Sequence, residues 1–132
     1  MQSDESNQQS GDGNHRAAAD AGLLLDGLLG SLLEDFRFWF ERGQVLLAHC
    51  PDSVMPAEAR ANLAQQLDHA SRELAAASSL REAAPTAMAL EMGTLAPWHK
   101  LVLEIWGLSA RLRLADVPLP PPPLRRETQG PA

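Results

Sequence analysis

The chain has 132 residues, 45% of them hydrophobic and 21% charged, and a net charge of −6. That length supports one modest core. Its few cations are interleaved with acids (Arg60, Arg72 and Arg81 among Glu58, Asp68, Glu73 and Glu82), which leaves no basic stripe and excludes the usual footprint of a nucleic-acid partner.

Residues 1–20 contain no Leu, Ile, Val or aromatic residue and read as a disordered, polar tail. No positive region precedes an apolar run, so the tail is not a secretory signal. The most apolar segment, Gly22 to Leu33, is interrupted by Asp26. It falls short of the ~20 residues needed to span a bilayer, so no integral membrane association is expected.

Asp20 is a candidate N-cap for a first helix from about Ala21 to His49. Its apolar positions Leu25, Leu29, Leu32, Phe36, Trp39, Gly43 and Leu46 alternate steps of four and three, a coiled-coil-like seam. Within it, "EDFRFWFER" places Phe36, Phe38, Trp39 and Phe40 in five consecutive positions. At ~100° per residue, Phe36, Trp39 and Phe40 share one side and join the seam. Phe38 points elsewhere, on the side of Leu24, Leu28 and Val45. Helix one thus carries a main stripe and a second, patchier one. Either the other two helices flank it on both sides, or part of it is left exposed as a homodimer or partner interface. Membrane-surface adsorption is disfavoured by the acidic charge.

Pro51 ends helix one. The single Cys50 excludes an intrachain disulfide and fits a reducing, cytoplasmic compartment. A second helix is expected from near Pro56 to about Ala84, with Leu63, Leu67, Ala70, Leu74 and Ala77 on its inner face. Residues 85–94 read as a loop whose Met88, Leu90 and Met92 pack down on the helices. The third helix starts at Thr94 or Leu95, with Pro97 tolerated in its first turn. Trp98, Leu101, Ile105, Leu108 and Leu112 form its stripe, which Val102 and Trp106 widen. The expected fold is all-α, an antiparallel three-helix bundle over residues 21–115. Residues 116–132 follow as a proline-rich disordered tail, in which "DVPLPPPP" is a stiff polyproline II arm. Its Pro120-x-x-Pro123-x-Arg125 resembles a ligand of SH3-type domains, although a spacer role fits the same residues.

Chemistry-bearing patterns are sparse. His15 lies in the tail, His69 on a polar face, and the adjacent His49 and Cys50 diverge on a helix, so no metal site is expected. Ser109 and Cys50 have no base at helical spacing, and no glycine-rich phosphate loop occurs, so neither catalysis nor a cofactor is expected. His99, in the first turn of helix three, is placed to bond Glu34, Asp35 or Glu41 across the bundle and lock two helices together. The alternative puts His99 and those carboxylates in the pocket of a small ligand-binding or enzymatic bundle. The leading reading is a non-catalytic protein–protein interaction or self-association module. Its candidate residues are Phe38, Trp39, Phe40 and Arg42, with Trp98 and His99 fixing helix three.

Two stretches, "LLEDFRFWFERGQVLL" (residues 32–47) and "PWHKLVLEIWGLSARLRL" (residues 97–114), resemble the signature segments of an uncharacterised family of small cyanobacterial proteins, a domain of unknown function. The matching positions include Leu33, Glu34, Asp35, Phe36, Trp39, Phe40, Glu41 and Arg42. Pro97, Trp98, His99, Leu101, Val102, Glu104 and Trp106 match in the second stretch. The resemblance implies a cyanobacterial, cytoplasmic-side setting and brings no activity, ligand or partner.

Overall fold

The computed structural model of the chain describes residues 2–83 and 92–123. Three helices follow in order: α1 (Gln2–Ala48), α2 (Ala57–Ala83) and α3 (Met92–Leu114). No strand occurs among the described residues. The expected loop residues Met88 and Leu90, and Arg125 of the proline motif, lie outside the described residues.

Helix α1 starts far ahead of Ala21, so Asp20 sits inside it rather than capping it. Ala17 and Ala18 are strong helix formers, and nothing in the preceding turn breaks the backbone ladder. At the other end, the His49 amide donates to the carbonyls of both Val45 and Leu46, and the Cys50 amide to Leu47. Pro51 stops the helix and offers its carbonyl to the amides of Val54 and Met55. Arg60, early in α2, ties this turn down: its Nη1 donates to the Cys50 carbonyl at 2.8 Å and its Nη2 to the Asp52 carboxylate.

Cross-helix contacts fix the directions. Arg81 near the end of α2 bonds Asp26, while Arg60 near its start reaches Cys50, so α2 runs antiparallel to α1. Trp98 packs on Phe36 and Phe40, and Ile105 on Gly43, so α3 runs parallel to α1. The bundle is up-down-up. Helix α1 is central: it packs on both α2 and α3, which contact each other much less.

The inner faces follow the sequence spacing. Leu63, Leu67, Ala70 and Leu74 of α2 are buried, as are Trp98, Leu101, Val102, Ile105, Leu108 and Leu112 of α3. On α1, burial begins at Leu33 and continues through Phe36, Phe40, Leu46 and Leu47. The upper part of the expected seam is not core. Leu25 is 62% exposed and Leu32 37%. Helix α3 enters the core at Leu95 and Trp98, level with Phe36 and Phe40.

All three helices meet at Gly43. A Cβ there would lie 2.9 Å from Ile105 Cδ1 and 3.0 Å from Leu67 Cδ1. The seam position that looks weakest in the sequence is therefore where the two partner helices come closest to the α1 backbone.

Helix α3 ends in a Schellman turn. The Val117 amide donates to Leu112 O and the Asp116 amide to Arg113 O, with Asp116 at φ 55°. Val117 is partly buried and packs against the core cluster that contains Leu112, as the apolar side of such a cap usually does. Pro118 follows and prevents any continuation of the helix. The turn reverses the chain. Asp116→Gly should raise stability by roughly 0.5 kcal/mol, because relief of the left-handed backbone outweighs the entropy glycine adds to the unfolded chain. Asp116→Val should lower it by about 1–2 kcal/mol, since a β-branched residue tolerates that conformation badly. Thermal unfolding of the two variants tests this; a neutral Asp116→Val would show that the turn does not direct the arm.

After the turn, Val117 and Leu119 pack against the core cluster, and Pro120, Pro121 and Pro123 border a cleft with Phe38, Glu41, Arg42 and Val45. Because Ile105 meets Gly43, α3 ends about level with the end of α1. The return distance agrees: the twelve positions from Cys50 back to Phe38, nearly all helical, span ~18 Å, and the six steps from Val117 to Pro123 would span ~19 Å at a polyproline II rise. The lower half of the second α1 stripe is thus covered by the C-terminal arm and not by a helix.

Candidate functional site

The structure separates the six candidate interaction residues into core and surface. Phe40 and Trp98 are each 1% exposed. The Trp98 indole meets Phe36 edge-on at a 5.5 Å centroid distance and Phe40 at 6.4 Å, and its Nε1–H donates to Glu73 Oε1 at 3.4 Å. These two residues join α3 to α1 and α2, and offer no surface to a partner.

Phe38, Trp39 and Arg42 are half-buried. Phe38 stands edge-on to Trp39 at 5.1 Å, and Trp39 edge-on to Trp106 of α3 at 5.6 Å. Three rings therefore form a row across the α1–α3 junction. Trp106 is 46% exposed at one end of it, where the sequence reading made it part of the buried stripe. The reason is rotational: Trp106 follows Ile105, which points at Gly43, and a one-residue step turns the side chain by ~100°. Leu103, one turn earlier on the same outer face, is also exposed. The interval from Leu103 to Trp106 was the available signal.

His99 does not form the expected lock. It is exposed, and among the described residues its ring has no hydrogen bond to Glu34, Asp35, Glu41 or any other partner. Trp98 takes the inward position at this level of α3, which turns His99 out to solvent. A cleft of about 310 Å³ between α2 and α3 is lined in part by His69, Glu73, Lys100 and Glu104 and does not include His99. No group of three or more His, Cys, Asp or Glu residues among those described is placed to hold a metal ion.

The carboxylates behave as the helical spacing suggests. Glu34 and Glu41 flank Arg37 at 3.8 and 3.3 Å, and Asp68 pairs with Arg72, all on exposed faces. Such pairs contribute a few tenths of a kcal/mol each. The pair between Asp26 and Arg81, at 3.0 Å, is different: it joins two helices, with side chains 29% and 27% exposed. The Arg81 guanidinium lies over Gly30, where a Cβ would meet it at 2.7 Å. Sequence spacing gives no warning of this pin, because its residues are 55 positions apart.

Above the pin, α1 carries an open leucine run. Leu23, Leu24, Leu25 and Leu28 are 59–72% exposed, and Leu80 of α2 is also exposed. Gly22 and Gly27 in the same stretch have open space where a Cβ would stand. No described helix is long and apolar enough to cross a membrane.

No curated protein and no solved structure matches the chain. A family model does match, over residues 19–114, which takes in the packed part of α1 together with α2 and α3 and stops short of the arm. With nearly three quarters of its length so matched, the chain belongs to the family described as "Protein of unknown function (DUF2605)".

Proposed function

We propose that the protein is a non-catalytic module that self-associates or docks a protein partner through α1. The observation that carries this reading is the solvent-exposed run Leu23, Leu24, Leu25 and Leu28. A helix apolar on nearly all sides belongs against another surface, and a contiguous apolar patch of this kind marks an interaction site. Trp106 and Leu103 add a second apolar area on α3. Against the alternative of a ligand-binding or enzymatic bundle stands the exposure of His99, which does not line the polar cleft between α2 and α3. The packed domain in this reading is residues 21–115, supported by the family match from residue 19 and by core burial starting at Leu33. A cytoplasmic setting, resting on the lone and buried Cys50, is part of the same proposal.

Light scattering on the full chain at a low and a high concentration tests self-association. The weight-average mass should rise with concentration, and Leu24→Glu with Leu28→Glu should hold it at one chain with unchanged helicity. A mass of one chain at both concentrations would rule out the homodimer. Docking would then rest on recovery of a partner from native extract, and equal recovery by the double variant would remove the leucine run from the site.

A further inference from the structure

The arm and the face it lies on have a chemistry of their own. Pro120, Pro121 and Pro123 border Phe38, Glu41, Arg42 and Val45 of α1. Proline-recognising surfaces are built this way: aromatic and aliphatic side chains contact the rings of a polyproline II ribbon, whose backbone makes no internal hydrogen bonds and leaves its carbonyls free to accept. Phe38 and Val45 supply the apolar floor and share one face of the helix, seven residues apart. The half-buried Arg42 brings a guanidinium to the edge of the cleft, a suitable donor to such carbonyls.

The face is not filled. A half-open cleft of about 210 Å³ is bordered by the arm and α1, and the prolines that border it stay exposed. That volume equals several waters at their ~30 Å³ share of the liquid, or one aliphatic side chain with room to spare. The cause lies at the root of the arm. Val117 and Leu119 pack against the core and the Schellman turn fixes the exit direction, so the path of the ribbon over α1 is set before Pro120. The segment is near its site because it is tethered, and a tether supplies proximity without requiring close complementarity.

We propose that the α1 face formed by Phe38, Arg42 and Val45 is a receptor for a polyproline II segment of a partner protein, one carrying an aliphatic side chain where this chain has a proline, and that Pro120–Pro123 is its placeholder in cis. The aliphatic side chain enters the space above Phe38 and Val45, and the ribbon displaces the arm from Pro120 onward. Val117 and Leu119 remain packed, so exchange leaves the bundle intact. The proposal is independent of the leucine run, which lies on another stretch of α1.

The test uses the full chain and a synthetic octapeptide of proline with leucine at its third and sixth positions. A glycine–serine peptide with the same two leucines serves as control. Backbone amide shifts are followed by NMR in the native chain and in a full-length variant with Pro120→Ser, Pro121→Ser and Pro123→Ser. The proline peptide should shift the amides around Phe38, Arg42 and Val45 saturably, and the control should not. Its apparent affinity should rise about tenfold in the arm variant, the factor expected if the placeholder occupies the site about nine-tenths of the time. Val45→Ser, at a half-buried position that leaves the core untouched, should weaken binding with the amide spectrum otherwise preserved. If the peptide leaves those amides unmoved even in the arm variant, or if both peptides bind alike, the proposal is overturned.

Discussion

Replacing Trp98 by alanine should cost roughly 3–5 kcal/mol, the largest loss expected from any single truncation in this bundle. The side chain is 1% exposed and stands edge-on to Phe36 and Phe40. Such ring pairs contribute ~0.5–1.5 kcal/mol beyond their buried area. The cavity left behind would open where all three helices contribute, since the indole also bonds Glu73 of α2. A domain of this size has only ~5–14 kcal/mol in total, so the variant should unfold at markedly lower urea with an unchanged or reduced slope. Trp98→Phe keeps one ring in place and gives up the indole donor, for about 1–2 kcal/mol. His99→Ala, one residue on, should stay within ~0.5 kcal/mol of the native chain, because the imidazole is exposed. Urea titrations followed by helical circular dichroism compare the three. A His99→Ala loss approaching that of Trp98→Ala would restore His99 as the lock and contradict the packing described above.

Gly43→Leu should be almost as damaging, by overfilling where Trp98→Ala empties. A Cβ at this position already lies 2.9 Å from both Ile105 Cγ1 and Cδ1 and 3.0 Å from Leu67 Cδ1. Three further carbons have nowhere to go, and the cost should reach or exceed ~3 kcal/mol, the upper part of the overpacking range. For a domain of this size that lowers Tm by roughly 12–24 °C. Gly43→Ala is a finer test. Alanine gains ~1 kcal/mol of helix propensity, against an overpacking cost of about 1–3 kcal/mol, so the net loss should be small. Adding Ile105→Val to Gly43→Ala should recover part of that loss, because it removes Cδ1, one of the atoms in the way. Purely additive effects would mean that the two helices do not press on Gly43 as the geometry requires.

The periodic parts of the molecule were legible in the sequence. The four-three spacing of Leu63, Leu67, Ala70 and Leu74, and of Trp98, Leu101, Ile105, Leu108 and Leu112, reports one buried face per helix, and every one of these residues is buried. The same spacing misled at Leu25 and Leu32, because a seam says which face of a helix is apolar and not whether a partner is present at that height. Trp106 shows the matching limit: of the neighbours Ile105 and Trp106 only one turns fully inward, and the sequence does not say that Ile105 is the one. The His99 lock failed for the same reason beside Trp98. Burial of Phe38 depended on a chain reversal at Asp116, a non-glycine residue in a left-handed conformation. Glycine is the usual residue there, so the turn carried no strong sequence signal. The Asp26–Arg81 pin depended on how far α2 extends along α1, which only the assembled bundle fixes.

The reversal at Asp116 also sets a sequence of events during synthesis. The partners of the α1 core face are made as α2 and α3 leave the ribosome, but the cover of Phe38 lies about eighty residues downstream, at Pro120–Pro123. At 5–20 residues per second, that ring and Val45 spend roughly 4–16 seconds made but uncapped. The Phe38 face is therefore the last part of the described bundle to be completed, and the newborn chain presents it to whatever waits near the exit tunnel before its own arm arrives.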